Sequence, residues 1–133
     1  MKKLLFFLSL SVLFAACTSS NSLKLKATSS EMYPCAHPSN GFIKTGFSIR
    51  GTDYNPSDSF VFDFDNEKFV WKDHKGSSSN RMCKLSESGN VSTYATEYNA
   101  IRITEVTSDY YMVDIIFRDG NDSFMITYEC TRD

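Results

Sequence analysis

Few side chains in this 133-residue chain have types and spacings that suit chemistry. Four cysteines stand at Cys17, Cys35, Cys83 and Cys130, and two histidines at His37 and His74. Cys35-Ala36-His37, with His74 and Cys83, offers soft metal ligands. None of the paired C-x-x-C or H-x-x-x-H spacings of zinc sites occurs, so no metal and no cofactor is expected. Both histidines read as surface residues. Asp63 and Asp65 share one strand face, about 7 Å apart by strand rise, a spacing compatible with a glycosidase pair. They alternate with Phe60, Phe62 and Phe64, however, which turns them towards water beside a turn. There is no G-x-S-x-G elbow, no phosphate-binding glycine loop and no H-E-x-x-H. The pattern points to binding rather than to catalysis.

The elements that would position these residues are strands. From Gly41 onward, apolar and polar residues alternate with period 2. Ile43, Thr45, Phe47 and Ile49 share one face, as do Tyr111, Val113, Ile115 and Phe117, and Phe124, Ile126, Tyr128 and Cys130. Turn residues separate the runs at Asp65-Asn66, Ser88-Gly89-Asn90 and Asp119-Gly120-Asn121. The expected strands are 42–50, 59–64, 68–73, 80–86, 91–98, 100–107, 110–118 and 122–130. The fold class is all-β: a small antiparallel up-and-down barrel of about eight strands, with a two-sheet β-sandwich as the alternative. Phe60, Phe62, Phe64, Phe69 and Trp71 lie on two strands joined by one tight turn. They read as core, and otherwise as the lining of a cavity for a small apolar ligand.

Composition excludes several classes. The chain is too short for a two-half dinucleotide-binding fold or a β/α barrel of about 250 residues. Fourteen basic and sixteen acidic side chains, net charge −2, give no reason to expect nucleic acid as a partner. A hydrophobic share of 41% is that of a folded domain.

The N-terminus carries an address. Met1-Lys2-Lys3 is followed by an apolar run from Leu4 to Ala16, shorter than the roughly 20 residues of a membrane-spanning helix, and reads as a signal peptide over 1–16. Phe14-Ala15-Ala16-Cys17 resembles the lipobox of bacterial lipoproteins, with phenylalanine where leucine is usual. The resemblance implies cleavage before Cys17, acylation of Cys17, and a cell-envelope protein anchored to a membrane by lipid. Because Thr18 is not aspartate, that is the outer membrane where the cell has one. Residues 17–40 then hold the lipidated cysteine, a tether over Thr18–Ser30 and an irregular lead-in over Met32–Asn40. Leu23-Lys24-Leu25-Lys26 alternates and offers an edge strand. Residues 41–133 form the domain, expected to be a monomer.

With Cys17 acylated, three cysteines remain. In a closed meander the first and last strands are neighbours, which favours a Cys35–Cys130 disulfide. A sandwich keeps Cys35–Cys83 and Cys83–Cys130 open. Cys83 alternates with Leu85 and reads as a buried leftover thiol. Tyr33-Pro34-Cys35, Cys130 and Ser86-Glu87-Ser88-Gly89 resemble, in form, motifs of the membrane-bound C-type lysozyme inhibitors. In place of that family's aromatic residue after the glycine stands Asn90-Val91, and Cys83 is extra. The resemblance implies a loop at 86–89 that enters the cleft of a cell-wall-degrading enzyme. The layout is also similar to small lipocalin-like lipoproteins, which implies a small apolar ligand instead. Both implied partners, small ligand and protein, are carried forward as expectations.

Overall fold

Alternation builds the strands. In the computed structural model, which describes residues 21–36 and 41–133, nine strands form: β1 (Ser22–Pro34), β2 (Ser59–Asp63), β3 (Lys68–Asp73), β4 (Gly76–Arg81), β5 (Cys83–Ser88), β6 (Val91–Ala95), β7 (Ala100–Glu105), β8 (Tyr110–Asp119) and β9 (Asp122–Arg132). The signal peptide, Cys17 and His37 lie outside the described residues. The fold is all-β: one antiparallel sheet in the order β4-β3-β2-β1-β9-β8-β7-β6-β5, curled into a half-barrel. Each strand lies beside its chain neighbour except at two places. β1 pairs with β9, and β4 and β5 are the two edges.

Those two edges are halves of one run, separated only by Met82. The Met82 N–H donates to the Glu67 carbonyl at 2.9 Å, prolonging the β3–β4 ladder, while Cys83 is already in register with Ala95 of β6. The sheet therefore comes round on itself through the chain at Met82, whose side chain is buried in the core. The expected strand over 80–86 is thus divided at Met82, and the count is nine rather than eight.

Two further expectations are corrected. The stretch read as tether and lead-in contains the longest strand, β1, at the middle of the sheet. Leu23, Leu25 and Ala27 point into the core, and Lys24, Lys26 and Thr28 point out. A register shift between Ala27 and Ser29 then changes the phase, as a bulge does, and leaves the Thr28 hydroxyl donating to the Glu129 carbonyl at 3.1 Å. Conversely, 42–50 is not a strand. It runs as a loop beside the second half of β1, touching it where Thr45 N–H donates to Pro34 O and Ile49 N–H to Met32 O. Its alternation had apolar residues but no sheet to bury them against.

The curl gives the sheet one interior. Phe60, Phe62, Phe69, Leu25, Ile101, Val113, Ile115 and Cys130 meet there with almost no solvent exposure. Phe62 and Phe69 stack with ring centroids 5.1 Å apart, and Phe60 meets Tyr128 edge-on at 5.0 Å. A smaller apolar cluster sits on the opposite face, where Cys35 and Phe42 pack over Ile116 and Met125. Beside it Asp114, 3% exposed, takes Arg102 Nε and the Thr127 hydroxyl at 2.9 and 2.7 Å. β8 and β9 are consequently buried on both faces over Val113–Ile116 and Met125–Tyr128.

Truncating Phe62 removes a fully enclosed ring from this interior. Phe62→Ala is expected to cost about 3–5 kcal/mol of unfolding free energy in urea titration, against a change within about 0.5 kcal/mol for the exposed Phe47→Ala.

Candidate functional site

The two ends of the half-barrel differ. At one end the interior is closed by a carboxylate: Asp58 Oδ2 accepts from Trp71 Nε1 at 2.7 Å and from the Tyr128 hydroxyl at 3.0 Å. At the other end it is open. Beyond Met82, β5 pairs only with β6, because β3 begins at Lys68 and offers nothing further along. The β5–β6 hairpin, turned at Gly89 with φ +59°, therefore stands past the β2–β3 turn and leaves a cleft of about 950 Å³ between them. Asn21 at the start of β1, Phe64, Met82 and Tyr94 are among the residues that line it.

The rim is polar and carries both signs. Lys84 and Glu87 pair with one another along β5, which holds the Lys84 ammonium above its ordinary range. Arg132 reaches in from β9, donating to the Tyr111 hydroxyl at 2.8 Å and to Ser108 O at 3.1 Å. Asn90 fixes the hairpin to β7: its carbonyl accepts from Glu105 N–H at 2.9 Å, and its side-chain amide donates to Glu105 O at 2.9 Å. β5 is exposed at every residue, and its outer edge has no strand beside it. The cleft combines a free strand edge, a mixed-charge rim and an apolar floor. Its lining holds one cysteine, Cys83, and no histidine.

The residues singled out by type are distributed elsewhere. Phe60, Phe62 and Phe69 are core and do not line the cleft. Phe64 is half-buried and borders the cleft; Trp71 is half-buried at the closed end. Asp63 accepts the backbone and side-chain N–H groups of Asn66, which lower its pKa, and Asp65 accepts Asn21 N–H. Both carboxylates build the β2–β3 turn. His74 is exposed in the two-residue turn between β3 and β4. No group of three or more metal-ligating side chains occurs among the described residues.

The expected Cys35–Cys130 bridge is absent, and the register explains why. Cys35 N–H donates to Ser123 O, whereas Cys130 stands opposite Ala27. Seven residues of β9 separate the two positions, about 24 Å at about 3.4 Å per residue. They also face opposite sides of the sheet, Cys130 in the main interior and Cys35 in the smaller cluster. A Cys35–Cys130 bridge requires a first strand that begins after Cys35. With β1 running from Ser22, the residue beside Cys130 is Ala27. Cys83 is also placed differently: it is exposed, as is Leu85. The sequence reading missed the cleft, because it depends on where β3 stops relative to β5.

Comparisons with protein-family models, with curated proteins and with solved structures give no match to this chain.

The thiols give two tests. Cys83 is expected to take a maleimide in the folded protein, with Cys35 and Cys130 labelled only after denaturation. Mass spectrometry of the adducts checks this, and a protected Cys83 contradicts it. Burial, with the Asp58 and Glu129 charges, pushes the Cys130 thiol from its ordinary 9.0 up to about 12. Burial and Asp58 push the Tyr128 hydroxyl upward as well. Ionisation is thus resisted more in the folded than in the unfolded chain, so this stability is fully present below about pH 9 and is lost as pH climbs towards about 12. Urea midpoints should fall through that window, and Cys130→Ala or Tyr128→Phe should flatten the slope.

Proposed function

We propose that this chain is a lipid-anchored lipoprotein of the bacterial cell envelope whose β domain binds a protein partner and catalyses no reaction. The single observation that supports partner binding is the contrast between a filled interior and an open cleft. Of the five aromatic side chains expected to line a ligand cavity, Phe60, Phe62 and Phe69 are packed against one another, Trp71 is held at the closed end, and Phe64 alone borders the cleft. What remains available is the free edge of β5, the mixed-charge rim and the projecting β5–β6 hairpin. Backbone groups at a free strand edge and paired charges at a rim are how one protein reads another. The anchor rests on the lipobox-like residues ending in Cys17.

Inhibition of a cell-wall-degrading enzyme is the second reading, favoured by one placement. Ser86-Glu87-Ser88-Gly89 falls on the exposed end of β5 and the hairpin turn, as an inhibitory loop requires. The missing Cys35–Cys130 bridge separates this chain from that family's pattern.

A photo-crosslinking residue at Ser88 tests the proposal in intact cells. A discrete adduct is expected from Ser88 and none from Asp119, which ends β8 away from the cleft. No adduct, or equal adducts from both positions, would refute cleft-end recognition. An adduct with a wall hydrolase whose activity the protein suppresses selects the inhibitor reading.

A further inference from the structure

Charge is segregated along the chain. Of the sixteen carboxylates only Glu31 precedes Asp53, whereas Lys2, Lys3, Lys24, Lys26, Lys44 and Arg50 all do. The fold gathers four of these cations along one strand. Lys24 and Lys26 project from the outward face of β1, and Lys44 and Arg50 belong to the loop beside its far half. The carboxylates among them are fewer: Glu31 accepts from Thr52 and Tyr33, which with nearby Lys44 lower its pKa and hold it ionised, and Glu129 accepts from Ser29, so the cations outnumber them. Between Gly41 and Thr52 there is no acidic residue.

The same loop exposes apolar side chains that nothing in the domain covers. Phe47 is 96% exposed, Ile43 55% and Ile49 52%. The backbone forces this display. Thr45 and Ile49 are fastened to Pro34 and Met32, so residues 46–48 bow outward between two fixed points. Gly46 sits against the Pro34 ring, where a β-carbon would meet Pro34 Cγ at 2.9 Å. Phe47, the next residue between the two fixed points, is left almost wholly in solvent. An exposed apolar group flanked by cations suits the boundary of a bilayer, whose acyl edge accepts the ring and whose anionic headgroups accept the charges.

We infer that the outward face of β1 and the loop 41–52 form a membrane-facing side, seated on an anionic lipid surface with Phe47 inserted at its apolar tip. The chain upstream of the described residues enters at Asn21, the near end of the same strand, so β1 lies along the surface rather than upright on it. This orientation stands on the charges and the loop, and holds whether or not Cys17 is acylated.

The test uses the full chain reconstituted in phosphatidylcholine vesicles, with and without phosphatidylglycerol and with brominated acyl chains. Tryptophan is placed by Phe47→Trp or, as a control on the sheet edge, by Leu85→Trp. Expected is a blue-shifted emission at position 47 that bromine quenches when phosphatidylglycerol is present, and no quenching of the emission added at position 85. Lys44→Glu with Arg50→Glu should abolish the quenching at 47. Absence of quenching at 47, or equal quenching at both positions, overturns the orientation. Quenching indifferent to the charge reversal overturns the anionic surface as the occupant. A blue shift at 47 that persists without vesicles assigns the tip to a protein contact instead.

Discussion

Everything in this fold depends on the pairing of β1 with β9. It is the one ladder that joins residues roughly a hundred positions apart: the Thr28 and Ser29 hydroxyls reach Glu129 across it. Every other ladder joins strands that follow each other in the chain, through short turns such as Phe64–Glu67 and Gly89-Asn90, except β1–β2, whose connection is the long loop from Cys35 to Asp58. Local hairpins close cheaply, whereas distant strands pay a loop-closure entropy before any contact rewards them. The reward here is burial on both faces. Leu25, Tyr128 and Cys130 enter the main interior, and Met125 on the other face is covered by Cys35 and Phe42. Without that ladder the two runs of hairpins, β2 to β4 and β5 to β8, would have no common core.

Burial falls away from this centre in both directions. β8 and β9 carry consecutive buried residues, β2 and β7 alternate, and β5 is exposed throughout. The gradient follows from the curl. Strands near β1 and β9 are covered inside by the aromatic stack and outside by the loop from Phe42. The edge strands meet the core only where Met82 passes between them. Edges of this kind are polar in sequence, Ser77-Ser78-Ser79-Asn80 in β4 and Lys84 and Glu87 in β5, which keeps unpaired backbone from recruiting other chains indiscriminately. The cleft therefore lies where the sheet is least committed to its own interior.

The strands with aromatic or aliphatic alternation were legible because their side chains state which face is buried. Phe60, Phe62, Phe69, Val113, Ile115, Ile126 and Tyr128 all sit where period 2 puts them. β1 was hidden by its composition: Ser, Thr and Lys dominate 22–30, and a tether has the same residues. Its signal was the short alternation Leu23-Lys24-Leu25-Lys26, too brief to weigh against polarity, and the bulge at Thr28 breaks the phase that would have extended it. The loop 42–50 failed in the opposite way. Its alternation was clear, but alternation records a face and not a partner, and the edge it needed was open only at Met32 and Pro34. The outer cluster of Ile116 and Met125 was invisible for a related reason. One-face logic assigns the second face to water unless something covers it, and here the covering residues come from outside the strands.

Asn21 connects the two surfaces described above. It borders the cleft, and its backbone pairs with Phe64 and Asp65 at the beginning of β1. If the chain is anchored at Cys17, three residues separate the acylated cysteine from Asn21, four steps with a reach of about 14 Å at most. The cleft then opens at the bilayer surface, and β1 runs from it towards the Phe47 tip along the same plane. A partner that fits the cleft must approach along the membrane, or itself belong to it. On that proposal, a sheet held at both ends of β1 would have its β5 edge facing in one fixed direction. A domain hanging from a long flexible tether would present that edge in every direction and lose the orientation. The placement of a strand where a linker was expected thus bears on the proposed function as well as on the fold: were Cys17 the anchor, the sheet would begin only a few residues from it, and the sheet would set the direction of any recognition at the cleft.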